Sequence, residues 1–253
     1  MDLSTKKAIV IGGAGGIGVA IVENLVQRGI QKLAVIDMLE EEKASKLFKT
    51  EVFYKKCSVT DEIELESAMK SLKDEMEGLD IVINSAGISN EHNRKALIDI
   101  NYGGVVNSTF AAIKLMRKDQ NGNTGGFIIN IASTSALGGF FMCPIYAGSK
   151  HAVLGFTRSF NNSGFIEKTG LRFITICPGP TETPLVSNND FVHHFPEMTE
   201  ETVAIWNRLP MQKADFVGKC ILAALDDAQN GAVWRVQDSR YQKIELQDFS
   251  EFE

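Results

Sequence analysis

The 253-residue chain has few of the side chains that hold metals or cross-link a fold: four cysteines and four histidines. Cys57, Cys143, Cys177 and Cys220 are scattered and form no C-x-x-C pair, so they read as buried reduced thiols, without a disulfide framework or metal site. His193 and His194 are adjacent, a spacing poorly suited to ligating one ion, and read as loop residues. Positive charge is also short. With 26 Lys+Arg against 32 Asp+Glu, the net charge of -6 argues against an electrostatic hold on nucleic acid or an anionic membrane. No apolar run approaches the roughly 20 residues of a membrane span. Met1-Asp2-Leu3-Ser4-Thr5 does not read as a signal peptide, so a cytoplasmic protein is expected. Linkers, internal repeats and low-complexity tracts are missing as well, which leaves one domain over residues 1–253.

What remains is an alternation of short apolar runs and amphipathic stretches. Strands are expected at 7–12, 33–37, 52–54, 79–84, 126–132, 171–177 and 232–236. Helices are expected at 16–29, 40–49, 62–76, 95–117, 145–160 and 214–225, the third capped by Thr60 or Asp61. The strand runs are continuously hydrophobic, as in a sheet buried on both faces. The fold class is therefore α/β: a doubly wound, Rossmann-like parallel sheet of about seven strands with helices on both faces.

Gly12-Gly-Ala-Gly-Gly16-Ile-Gly18 lies between the first strand and the first helix. There, backbone amides and a helix N-terminus can receive a pyrophosphate. Asp37 ends the next strand, where a carboxylate accepts hydrogen bonds from ribose hydroxyls and repels a 2'-phosphate. Met38 follows, and no Lys or Arg sits in the turn. NAD is the expected cofactor. Tyr146-Ala-Gly-Ser-Lys150 places a phenol and an ammonium four residues apart on one helix face. A free phenol titrates near pH 10, and a nearby ammonium favours the phenolate, which makes a base suited to an alcohol losing hydride.

Together these motifs resemble the short-chain dehydrogenase/reductase pattern over essentially the whole chain. Gly12, Gly16 and Gly18 match its glycine spacing, with Ile11 where threonine is usual. Asn84-Ser-Ala86-Gly87, Asn130-Ile-Ala-Ser133, Tyr146-x-x-x-Lys150 and Pro178-Gly179-Pro-Thr181-Glu-Thr183 follow in the family's order. Residues 149–159 and 230–236 are similar to the insect-type alcohol dehydrogenases and the NAD-dependent 15-hydroxyprostaglandin dehydrogenases.

The resemblance implies a catalytic set of Asn101, Ser133, Tyr146 and Lys150. Tyr146 is then the base, Lys150 lowers its pKa and holds the nicotinamide ribose, and Ser133 binds the substrate oxygen. Asn101 kinks its helix and keeps a water in a proton relay. The phosphate side of the cofactor falls to Gly12, Gly16, Ile17 and Gly18, and the adenosine side to Asp37, Ser58 and Val59. Many members have aspartate at the position of Ser58. Asn84, Ala86, Gly87, Pro178, Gly179, Thr181 and Thr183 border the rest, with Thr183 fixing the carboxamide. A homodimer or homotetramer is implied, with the helices starting near Lys95 and Ile145 as the dimer face.

Substrate selection is expected in a lid segment at about 184–210, rich in apolar residues, facing a wall just before Tyr146. Ser135, Leu137, Phe141, Cys143, Leu185 and Trp206 are the residues chosen for it. Such walls suit a small, neutral, hydrophobic alcohol. The alternatives are oxidation of a hydroxylated fatty acid, with Arg208 or Lys213 answering the carboxylate, carbonyl reduction, and a non-catalytic NAD- or ligand-binding protein.

Overall fold

The computed structural model describes residues 1–120, 122–187 and 196–247. In chain order the strands are β1 (Lys7–Ile11), β2 (Lys32–Asp37), β3 (Phe53–Lys56), β4 (Ile81–Asn84), β5 (Gly126–Ile131), β6 (Leu171–Pro178), β7 (Thr181–Glu182), β8 (Gln212–Lys213), β9 (Val233–Gln237) and β10 (Arg240–Ile244). The helices are α1 (Gly16–Gln27), α2 (Glu41–Ala44), α3 (Glu62–Met76), α4 (Arg94–Ile98), α5 (Gly104–Met116), α6 (Pro144–Arg158), α7 (Ser163–Thr169), α8 (Pro184–Ser187), α9 (Thr199–Trp206) and α10 (Asp215–Asp227).

The main sheet runs β3-β2-β1-β4-β5-β6-β9-β10. Its first seven strands are parallel and β10 is antiparallel to β9. Alternation along β1 shows how the layers form. Ala8 and Val10 face α1 and α10, meeting Ile21, Leu25, Val217 and Ile221, while Ile9 and Ile11 face Leu65, Met69, Leu72 and Met116 of α3 and α5. The strand order reverses between β1 and β4, and the crevice at their carboxyl ends is where such sheets bind ligands. No helix among the described residues is long and apolar enough to cross a membrane.

The chain departs from the sequence reading in several places. An eighth strand, β10, follows β9 through Asp238 and Ser239, both at positive φ (54° and 57°), as a tight hairpin turn requires. Neither is glycine, so the turn carries no strong sequence signal. The helix expected at 40–49 is only α2 and a 3-10 turn at Ser45–Leu47. The one expected at 95–117 is α4 and α5 joined by a π-helical segment at Asp99–Gly103 centred on Asn101. Such wide turns cluster at functional positions. Finally, β7 pairs with β8 in a separate two-stranded sheet, and α7 follows its cap Asn162. Of the two caps weighed for α3, Asp61 is the one used, accepting from the Glu64 amide at 2.9 Å.

Candidate active site

The turn after β1 is shaped by what a side chain would strike. Gly12 has φ +76°, and a Cβ there would stand 2.5 Å from Cα of Ala86, which follows β4. One at Gly16 would stand 2.7 Å from Cβ of Thr183, and Gly18 is similarly closed against Gly13. The glycine turn, the Ala86 segment and the Thr183 segment are thereby brought into contact. Gly15, the N-cap of α1, puts no side chain over the helix end, and the first turn carries no acid. The first-turn amides are left for a ligand, while Ile17 turns toward the core.

Asp37 stands at the end of β2 with Oδ2 accepting from the Ala14 amide at 3.0 Å and Oδ1 from the Leu39 amide at 3.2 Å. Its register partner Lys56 is paired with Glu40, and Lys55 with Glu75 at 2.9 Å. Ser58 bonds locally, its hydroxyl engaging Thr60 Oγ1 at 2.8 Å. Val59 packs against Gly104, and its carbonyl accepts from Asn107. The Asn84 side chain turns into the sheet, donating to Asn130 Oδ1 at 2.7 Å, so β4 offers the crevice its backbone at that point.

Asn101 is fully buried and clamps Ile88: its Oδ1 accepts from the Ile88 amide at 2.8 Å and its Nδ2 donates to the Ile88 carbonyl at 2.9 Å. The same Nδ2 reaches Ser149 Oγ at 3.2 Å. Gly87 lies between Asn101 and Lys150, where a Cβ would come within 3.3 Å of one and 3.5 Å of the other. Lys150 is 4% exposed, donates to the Ile131 carbonyl at 3.0 Å, and holds its Nζ 5.7 Å from the Tyr146 ring centre. Ser133 caps a 3-10 turn by accepting from the Ser135 amide, donates to the Pro178 carbonyl at 3.4 Å, and lies near enough to Tyr146 to act on its phenol. Ser133, Tyr146 and Lys150 therefore converge at the carboxyl ends of β5 and β6.

Burial acts on both ionisable groups of this pair. Burial pushes the Tyr146 phenol up to about 12, against the opposing influence of the nearby Ser133 hydroxyl. Burial also penalises the charge on Lys150 and brings it down to about 8. The phenol is held neutral near pH 7.

The segment after β6 is fastened at several points. The Gly179 amide donates to the Val236 carbonyl at 2.7 Å, Thr181 Oγ1 to the Gly179 carbonyl, and Thr183 Oγ1 to the Thr181 carbonyl. Gln212, buried on β8, donates to Thr181 Oγ1 and to the Val236 carbonyl, a role no sequence motif announced.

The substrate-side residues are less tightly gathered. Ser135 is buried with no partner for its hydroxyl among the described residues, and Leu137 packs with α6. Cys143 is the N-cap of α6, its thiol pushed up to about 12 by burial and by Glu91. The Leu185 carbonyl accepts from Ser89 Oγ at 3.3 Å. Phe141 is 58% exposed, and α9 exposes Val203 and Ile205 while Trp206 is half-buried. Residues 188–195, with Phe191, Val192, His193, His194 and Phe195, lie outside the described residues, and with them part of the expected lid. Among the described residues, no cluster of three His, Cys, Asp or Glu could hold a metal. Sequence reasoning also passed over Glu91, a buried acid in the segment after β4 whose carboxylate accepts from the first amides of α6, with no local motif to mark it.

Known proteins share this organisation. Residues 6–191 match the family model described as short chain dehydrogenase. Alcohol dehydrogenase 1 of Ceratitis cosyra is 32% identical over 239 residues, 92% of either chain. The 15-hydroxyprostaglandin dehydrogenase (NAD(+)) of Rattus norvegicus is 32% identical over 263 aligned positions, covering 100% of this chain and 97% of that protein. Levodione reductase has the same fold, with a TM-score of 0.76 at 24% identity over 92% of this chain and 96% of that one. The chain belongs to the short-chain dehydrogenase family of oxidoreductases.

Proposed function

We propose that this protein is an NAD-dependent dehydrogenase that oxidises a neutral, hydrophobic alcohol to its carbonyl, with Tyr146 as general base. The observation that carries the reading is the convergence of Ser133, Tyr146 and Lys150 beside the cleft bordered by the glycine turn. A dinucleotide fits the residues present: the uncovered α1 N-terminus suits a pyrophosphate, and the doubly anchored Asp37 carboxylate suits ribose hydroxyls. NAD is favoured over NADP because Lys55 and Lys56 are both committed to acids and Met38 is exposed beside Asp37. When bound, the dinucleotide supplies the hydride acceptor.

The chain's own residues handle the proton. Ser133 orients the alcohol oxygen, and Tyr146 Oη takes its proton as the C–H bond breaks. A phenol raised to about 12 must ionise to act as base, so alcohol oxidation accelerates as pH rises, whereas carbonyl reduction, which uses the neutral phenol, slows. Lys150 supplies positive charge on the same helix face, and Asn101 ties that face to the segment after β4. The Pro178–Thr183 stretch closes on the glycine turn through Thr183. A second reading, oxidation of a hydroxylated fatty acid, is favoured by the identity to the rat 15-hydroxyprostaglandin dehydrogenase. The apolar residues at Leu137, Phe141 and Leu185 favour the neutral alcohol. A homodimer through α5 and α6 is supported by Phe110, 54% exposed and edge-on to Phe156 and Phe160 at 6.0 and 6.3 Å.

The test is an oxidation assay with NAD and NADP against short-chain, terpenoid and steroid alcohols and a hydroxylated fatty acid. The expected result is a kcat/KM at least about 100-fold higher with NAD and faster turnover of neutral alcohols. Preference for NADP, or for the carboxylated substrate, contradicts the corresponding part of the reading.

A further inference from the structure

The segment after β4 carries a buried charge that this chemistry leaves unused. Glu91 is 2% exposed, yet its carboxylate reaches the start of α6. Its Oε2 accepts from the Ile145 amide at 3.1 Å and its Oε1 from the Tyr146 amide at 2.6 Å. α6 has no cap of its own: Cys143 at the N-cap makes no side-chain cap bond, and Pro144 follows. An anion there satisfies orphan amides and meets the positive end of the helix dipole. Charge-assisted bonds of this kind are shorter and stronger than neutral ones.

The backbone of Tyr146 is held from its other side as well. Ser149 Oγ donates to the Tyr146 carbonyl at 2.7 Å and accepts from Asn101, whose other bonds go to Ile88. Ser89 bonds Leu185 at the start of the substrate segment. Residues 88–91 thus tie the proposed base, the π-helical segment and α8 to one short stretch.

We propose that Glu91 is a positioning residue for the reaction: it fixes the backbone of Tyr146, and with it the phenol relative to Ser133. The proposal rests on Tyr146 being the base. Misplacing a reacting group by about 1 Å costs on the order of 100-fold in rate, so the effect belongs in kcat.

The test is steady-state oxidation of a neutral alcohol by Glu91→Gln and Glu91→Ala, with kcat referred to NADH-binding sites titrated by fluorescence. Tyr146→Phe is run in parallel. Glu91→Gln keeps one acceptor oxygen without charge and should lose about 5-fold in kcat, and Glu91→Ala about 50-fold, with KM for NAD within about 2-fold. The primary deuterium isotope effect on kcat should rise as the chemical step slows. An unchanged kcat per site and an unchanged isotope effect in Glu91→Ala, whatever its Tm, would reduce Glu91 to a fold-stabilising cap and overturn the proposal. If that variant does not fold, Glu91→Gln decides by the same two readouts. Should Tyr146→Phe lose turnover while the Glu91 variants keep theirs, the positioning role fails alone. Should Tyr146→Phe keep turnover, the base assignment falls and this proposal with it.

Discussion

The proposed phosphate side of the cleft and its proposed substrate side are built from different materials. Around 12–18 and 37 the surface is backbone: glycines pressed against Ala86 and Thr183, an uncovered helix end, and a carboxylate fixed by two amides. Around 134–143, 184–186 and 200–206 it is side chains, several of them exposed, carried on short turns and short helices. A backbone surface of this kind tolerates almost no substitution. A side-chain surface can be varied to change substrates without disturbing the fold. Between the two stands α6, held at its N-terminus by Glu91 and along its face by Asn101.

Three substitutions sharpen or break this contrast. Ser133→Ala, at the junction, should lower kcat/KM for alcohol oxidation by about 100-fold or more. Because the Ser133 hydroxyl works against the raised phenol pKa, its loss should also move the alkaline rise of oxidation to higher pH. A pH–rate profile of the residual activity checks the sign. Gly18→Val, whose Cβ would stand 2.6 Å from Gly13 Cα, should weaken NADH binding by about 10-fold or more and destabilise the fold by about 1–3 kcal/mol. Fluorescence titration and thermal melts measure both. Phe141→Ala, at a position 58% exposed, should leave NADH binding intact and change the ratio of kcat/KM between a short and a bulky alcohol by less than about 10-fold. If Phe141→Ala damaged NADH binding as much as Gly18→Val, the two sides would not be separable.

The same division governs what could be read before the structure. β1, β2 and α3 follow the sequence reading closely because continuous β-branched runs and an i, i+4 pattern capped by Asp61 are local signals. The glycine turn and Asp37 were legible because close approach demands glycine and a strand end presents its last side chain. The order of Ser133, Tyr146 and Lys150 was legible through the family pattern. Their electrostatics were not, because burial is a property of the assembled layers: it raises Tyr146 and lowers Lys150 together. Glu91 escaped notice for a similar reason, since its amide partners lie 54 and 55 residues away. β10 escaped because Asp238 and Ser239 take a conformation that glycine usually advertises.

Replacing Tyr146 by phenylalanine, and measuring NADH binding and alcohol oxidation on the same preparation, tests the central claim most directly. The account predicts NADH affinity within about 3-fold of the parent protein and oxidation reduced by about 1,000-fold or more. Retention of most of the oxidation rate at unchanged NADH affinity would contradict it.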